Sequence, residues 1–258
     1  GRLTQILRGA GRDAGVGLYY PIAMFQADLT ASEKFWPKIC DQHKDRQHDW
    51  DRTEKALLNG DVEYMIVHSE AVAEAEIENG RMNIGYGSYH TLVIPQLDFI
   101  PLSVVKQLNQ FEKSGGKVFW VDQLPRGAEY EKNNAEVNKA LANARIVSVE
   151  ALAGQIGNSY SPEFDLTFTP GTQQLAVGRF RKNGEQVYLL VNRLQEAIEV
   201  EIEGHRENNA SGKVRLLNPS TGEISELSLP VRLSVEANRS VLLMPNREYL
   251  SHKLKEKQ

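Results

Sequence analysis

Over roughly the first 150 positions, short unbroken apolar runs alternate with stripes of helical period. Val16-Gly17-Leu18-Tyr19-Tyr20 is a run closed by Pro21, which reads as a strand buried on both faces. Asp51-Arg52-Thr53-Glu54 has capping-box spacing ahead of Ala56, Leu57 and Leu58, so a helix is expected to begin there and to stop at a left-handed Gly60. Strands follow from Val62 to Val67 and from His90 to Ile94, the second ended by Pro95. Leu102, Val105, Leu108 and Phe111 then recur every three residues, with Val104 widening the stripe. Ser114-Gly115-Gly116 closes this helix. Lys117 to Val121 is a hydrophobic strand, Glu136 to Ala142 a helix, and Arg145 to Ser148 a last strand. Strand and helix in alternation predict a parallel sheet with helices on both faces.

After Gly157-Asn158-Ser159 the period changes to two. Leu175 to Phe180, Gln186 to Val191, Ile198 to Ile202, Lys213 to Leu217 and Ser240 to Met244 are short alternating runs. They are separated by turn residues at Lys182-Asn183-Gly184, Asn218-Pro219-Ser220-Thr221-Gly222 and Glu236-Ala237-Asn238. Ile198, Val200 and Ile202 would face a core while Glu199, Glu201 and Glu203 face water, the signature of a half-buried antiparallel strand. The pattern divides the chain into an α/β domain over residues 1–157, a β-sandwich over 158–246 and a polar tail over 247–258, expected to fray.

Composition narrows the classes. With 41% hydrophobic and 25% charged residues in 258, the chain can bury a core. Its net charge of −4 falls entirely before residue 161, and neither half is basic enough to attract nucleic acid. A single cysteine, Cys40, excludes an internal disulfide. No apolar run approaches the roughly 20 residues of a bilayer span. The start at Gly1-Arg2-Leu3, without Met, has the look of a cleaved tag scar or an excised segment.

Candidate chemistry follows from the fold rule that ligands bind beyond the carboxyl ends of the strands of an open α/β sheet. That rule nominates Tyr20, His68, Glu70, Gln96, Asp122 and Gln123. The same polar groups serve equally as loop caps and backbone partners. Gly9-Ala10-Gly11 and Gly85-Tyr86-Gly87 lack the strand–turn–helix setting of a phosphate cradle, and Gly115-Gly116 ends a helix rather than starting one. Cys40 lies in Phe35-Trp36-Pro37-Lys38-Ile39-Cys40, with His43 one turn on. That spacing suits a core helix, not a thiol nucleophile on a strand–turn elbow. His48, His68, His90, His205 and His252 form no metal motif. No cofactor or metal is therefore expected. Glu70, Glu74, Glu76 and Glu78 read as a solvated face, and Phe180 and Tyr188 as core rather than as platforms for sugar.

Longer stretches carry a family likeness. His48-Asp49-Trp50, Asp61-Val62-Glu63-Tyr64, Gly80-Arg81-Met82, Tyr89-His90-Thr91-Leu92-Val93-Ile94-Pro95, Phe111 to Gly116 and Lys117-Val118-Phe119-Trp120 resemble a segment of large bacterial glycoside hydrolases of the α-L-rhamnosidase and β-galactosidase-like type. There the segment forms an amidotransferase-like, flavodoxin-like domain after the catalytic barrel. Phe180 to Asn192 and Leu217-Asn218-Pro219-Ser220-Thr221-Gly222-Glu223 resemble the β-sandwich that follows it. The resemblance implies a non-catalytic accessory region, with no catalytic residue in this chain. Its partners would be the barrel of the same polypeptide or a sister subunit, and an oligosaccharide reached by the strand-end residues. It also implies a periplasmic or extracellular setting. Two other readings stay open: a stand-alone α/β hydrolase using the strand-end cleft, and a sugar-binding module centred on the sandwich.

Overall fold

Strand-forming and helical segments are arranged in a computed structural model that describes residues 1–12, 14–22, 44–60, 62–85, 87–128, 134–157, 165–169, 175–183, 185–205 and 212–245. The chain opens with α1 (Arg2–Leu7), β1 (Gly11–Arg12) and β2 (Val16–Tyr20), followed by α2 (Lys44–Asn59), β3 (Tyr64–His68) and α3 (Ser69–Ala73). Next come β4 (Glu76–Glu78), β5 (Arg81–Ile84), β6 (Gly87–Tyr89), β7 (Thr91–Ile94), α4 (Leu102–Lys113) and β8 (Lys117–Val121). The helices α5 (Asn134–Ala140) and α6 (Leu152–Gly157) flank β9 (Ile146–Val147). The rest is strand: β10 (Asp165–Thr169), β11 (Leu175–Lys182), β12 (Glu185–Asn192), β13 (Ile198–His205), β14 (Lys213–Leu217), β15 (Ile224–Ser228), β16 (Val231–Val235) and β17 (Ser240–Pro245).

Two compact units result, Ala14–Tyr160 and a second made of Gly1–Asp13 with Ser161–Gln258. In the first, an all-parallel sheet has the order β3-β2-β7-β8-β9. Numbered along the chain this is 2-1-3-4-5, the flavodoxin-like order. Alternate residues of each strand enter opposite cores, which is why these strands read as unbroken apolar runs. Val16, Leu18, Val93, Phe119 and Val121 pack with Trp50 and Leu57 of α2 and Leu152 and Ile156 of α6. Tyr19, Leu92, Ile94, Val118 and Trp120 pack on the other face with Val104, Val105, Leu108 and Phe111 of α4 and Val137 of α5. Every member of the predicted stripe on α4 is buried.

The helix start assigned to Asp51–Glu54 is corrected. α2 begins at Lys44, so these residues lie inside it, and the Thr53 hydroxyl donates to the Asp49 carbonyl at 3.0 Å. Nor is Gly60 left-handed. It is absent from the positive-φ glycines, and a Cβ there would lie 2.1 Å from the Cβ of Ala153 on α6. Close approach of α2 to α6, not a turn, requires glycine. Between α3 and β7 the structure adds an antiparallel sheet, β4-β5-β6, that the strand–helix reading passes over. Its first turn, Asn79-Gly80, has φ of 50° and 73°, the paired positive values of a type I′ hairpin. Glu70, Glu74, Glu76 and Glu78 are all exposed, spread over α3, its end and β4.

In the second unit, a six-stranded antiparallel sheet, β1-β11-β12-β17-β14-β15, and a three-stranded one, β10-β13-β16, share a single core. Ile198, Val200 and Ile202 enter it beside Leu166, Tyr188, Leu190, Val214 and Leu243. Residues 1–12, counted above with the α/β domain, join the sandwich instead: Gly11 and Arg12 pair with Arg181 and Phe180. Leu3, Ile6 and Leu7 of α1 cover Val187, Leu217 and Leu242 on the outer face of the large sheet. Phe35–Cys40, His43 and the tail 247–258 lie outside the described residues.

Candidate functional site

In a sheet of this order, strand order reverses between the parallel strands β2 and β7, and the neighbouring loops part at their carboxyl ends. Tyr20 ends β2 and stands in register with His68, which ends β3. Its ring meets Trp50 of α2 edge-on, with centroids 5.4 Å apart and planes at 88°. One residue earlier, Tyr19 and Ser69 share a buried hydrogen bond of 2.6 Å that joins the ends of β2 and β3. His68 Nδ1 lies 3.2 Å from Glu70 Oε2, and both side chains are largely exposed. Tyr20, His68 and Glu70 thus form one neighbourhood.

Gln96 is half-buried at the end of β7, on a loop tied to the one after β8. Arg126 N donates to the Asp98 carbonyl at 2.7 Å and Ile100 N to that of Gly127 at 3.1 Å. Phe99, beside Gln96 on this loop, and Ile22, beyond Tyr20, are exposed apolar side chains on the same edge of the sheet.

Asp122 belongs to a different neighbourhood. It ends β8 with φ of 60°, its N–H donates to Val147 O at 2.9 Å, and its Oδ1 accepts from Val149 N at 3.0 Å. Its Oδ2 is 3.5 Å from Arg52, whose guanidinium also lies 3.7 Å from Asp49 and 3.8 Å from Glu150. Arg52 is therefore an ion-pair hub tying α2 to the ends of β8 and β9. Sequence reasoning placed it in a capping box and missed this role; the i,i+3 spacing of Asp49 and Arg52 was the available signal. Gln123 adjoins Asp122, and its N–H donates to Val121 O at 2.7 Å.

Three strand spacings separate β3 from β8, about 14 Å at ~4.8 Å each. A hydrolytic carboxylate pair needs roughly 5 to 10 Å; Glu70 and Asp122 follow strands farther apart than that, and the Asp122 carboxylate is engaged by Val149 and Arg52. Burial raises the pKa of Tyr89 and of Glu112, the latter against the attraction of Lys117. Both lie toward the opposite, amino edge of the sheet. Among the described residues no three His, Cys, Asp or Glu side chains cluster to hold a metal, and no helix is long and apolar enough to cross a membrane. Phe168, Phe180 and Tyr188, the described aromatics of the sandwich, are buried or half-buried.

No protein-family model matches this sequence, and no curated protein matches it. Solved structures do share the fold. A rhamnosidase from Novosphingobium sp. PP1Y aligns over 93% of this chain and 23% of its own, at 15% identity and a TM-score of 0.58. A β-galactosidase from Bacillus circulans sp. alkalophilus aligns over 95% and 43%, at 11% identity and 0.60. The α-L-fucosidase isoenzyme 2 from Paenibacillus thiaminolyticus aligns over 95% and 51%, at 12% identity and 0.51. This chain therefore spans from 23% to 51% of the length of those three enzymes. At such identities the likeness is one of fold: a flavodoxin-like α/β unit and a β-sandwich.

Proposed function

We propose that this chain is the non-catalytic accessory region of a carbohydrate-degrading glycoside hydrolase, one that packs, oligomerises or supports an active site carried elsewhere. One observation bears most of the weight. Enzymes named for three different sugars share the fold of nearly the whole of this chain, which matches from 23% to 51% of their own length. A fold common to all three does not by itself define a sugar, which supports placing the choice and the chemistry in the remainder.

The site supports this reading. Its carboxylates are either dispersed across the sheet or gathered on Arg52. Tyr20, His68, Glu70 and Gln96 are the groups proposed to face an oligosaccharide held by a barrel of the same polypeptide or of a sister subunit. Asp122 acts behind them by fixing the end of β8.

The test is hydrolysis. The purified chain should leave aryl α-L-rhamnosides, β-D-galactosides and α-L-fucosides uncleaved, and the complete gene should encode a barrel. In the complete enzyme, Glu70→Gln and Asp122→Asn should change kcat by no more than about threefold. Turnover by the isolated chain that either substitution abolishes would show that the catalytic groups are here after all.

A further inference from the structure

Phe99 is the one exposed aromatic side chain among the described residues, with 43% of its surface open to solvent. Its backbone is fixed on both sides. Asp98 O accepts from Arg126 N at 2.7 Å, Ile100 N donates to Gly127 O at 3.1 Å, and Phe99 itself bridges to Gly127. Leu97 and Ile100 are 3% and 0% exposed, in the core shared with α4. The chain therefore holds this ring at the surface between two buried anchors, just beyond β7, one of the two strands at which the order of the sheet reverses. Polar groups flank it. Gln96, half-buried at the end of β7, has no side-chain hydrogen bond among the described residues. Arg126, its side chain 77% exposed, lies 4.0 Å from Asp98 Oδ1.

We propose that Phe99 is the platform on which a neutral pyranose ring stacks, with the Gln96 amide hydrogen-bonded to one of its hydroxyls. A pyranose presents a face of C–H groups bounded by hydroxyls, and the face of an aromatic ring, negative at its centre, attracts those C–H groups. Because the loop is fixed beforehand, little freedom is lost when the two rings meet. A protein surface is the poorer occupant. Packing one over Phe99 would take the Arg126–Asp98 pair out of water, a cost that a sugar avoids because its hydroxyl rim hydrogen-bonds such groups as water does. One ring among polar neighbours also falls short of the roughly several hundred Å² of contiguous apolar surface that marks a protein contact. A single stacked ring limits the affinity to a Kd of about 1–30 mM.

The platform rests on the accessory reading and adds an aromatic contact to its sugar-facing groups, but it is read by binding rather than by hydrolysis, so each can fail alone. Saturation-transfer NMR of the 258-residue chain uses methyl α-L-rhamnopyranoside, methyl β-D-galactopyranoside and methyl α-L-fucopyranoside as probes, each at about 5–20 mM. At least one of them should receive saturation at the C–H protons of one ring face. Phe99→Ala and Phe99→Leu, the second keeping bulk without the aromatic face, should each cut that transfer at least about threefold with an unchanged circular dichroism melt, whereas Phe99→Trp should keep it. Gln96→Ala should weaken it by about two- to tenfold. Cleavage of a probe that binds through Phe99 would sink the accessory reading and leave the platform standing. No transfer to any of the three, transfer that survives Phe99→Ala or Gln96→Ala, or a Phe99→Leu chain that binds as well as the native one would overturn the proposal.

Discussion

Asp122 shows how a residue nominated for chemistry can belong to architecture. At φ of 60° it occupies the left-handed region, which costs a residue with a side chain about 1–2 kcal/mol, somewhat less for Asp and Asn. The carboxylate offsets that strain locally, because it accepts the Val149 N–H and faces Arg52. Asp122→Ala should therefore destabilise the α/β unit by about 1–3 kcal/mol. Asp122→Asn should cost less, since an amide oxygen still accepts from Val149 and Asn tolerates this backbone. Urea unfolding followed by the fluorescence of Trp50 and Trp120 measures both; equal losses would mean that the charge alone matters. Strand-end position was legible for Asp122 because the run before it, Val118 to Val121, is unmistakably a buried strand. Its partner was not, because Arg52 lies far along the chain and only tertiary packing brings α2 over the end of β8. The buried Asn192 was invisible for the same reason. Its amide donates to the carbonyls of Glu196 and Val235 at 2.8 and 2.9 Å and accepts from Leu194 N at 2.9 Å, partners supplied by the loop after β12 and by the end of β16.

Elements were legible where burial was two-sided or strictly periodic, as in β2, β7, β8 and α4, whose apolar positions have no other explanation. Others were missed, β15 because few apolar residues define it and β16 although Val231, Leu233 and Val235 alternate. β15 and β16 present the alternating exposures of strands with one wet face, and Leu227, Val231 and Leu233 are only partly buried against the core. The β4–β5 hairpin carried a strong signal in Asn79-Gly80, but its strands are too short for a periodic pattern to show. The start of α2 was misjudged because Asp51-Arg52-Thr53-Glu54 satisfies the spacing of a cap inside a continuing helix, where the Thr53 hydroxyl finds Asp49 behind it. Contact between α2 and α6 gives a sharp check. Gly60→Ala would drive its new methyl into Ala153 and should cost about 1–3 kcal/mol, as overpacking does. Ala153→Gly in the same chain should recover most of that loss, because it removes the opposing methyl. A double-mutant cycle in urea reads the coupling; an additive result would show that the cost of Gly60→Ala does not come from the contact with Ala153.

For the molecule as a whole, chain order and domain order part company. The sandwich is discontinuous, opened by residues 1–12 and resumed after the α/β unit, so its first secondary structure precedes a domain it does not belong to. No local pattern announces this, since α1 spans six residues and β1 two. What fixes them is the sheet they cover. Val187, Leu217 and Leu242 lie on the outer face of the large sheet, where α1 shields them through Leu3, Ile6 and Leu7. Polar ties hold the cover in place: Lys182 Nζ donates to the Ile6 carbonyl at 2.6 Å, and Arg2 donates to those of Pro219 and Ser220 at 3.2 and 2.8 Å. Arg12 adds a cation–π contact 5.2 Å from the centre of the Phe180 ring. Deleting residues 1–12 should thus injure the later domain and spare the adjacent one. Losing about 2 kcal/mol of apolar burial from a domain of this size should lower its melting temperature by on the order of 10 °C, at roughly 4–8 °C per kcal/mol. Calorimetry should show that fall in the sandwich transition, together with binding of a hydrophobic dye to the uncovered sheet, while the tryptophan-reported transition of the α/β unit stays where it was. If the tryptophan-reported transition drops instead, residues 1–12 stabilise the α/β unit and the discontinuous sandwich is wrong.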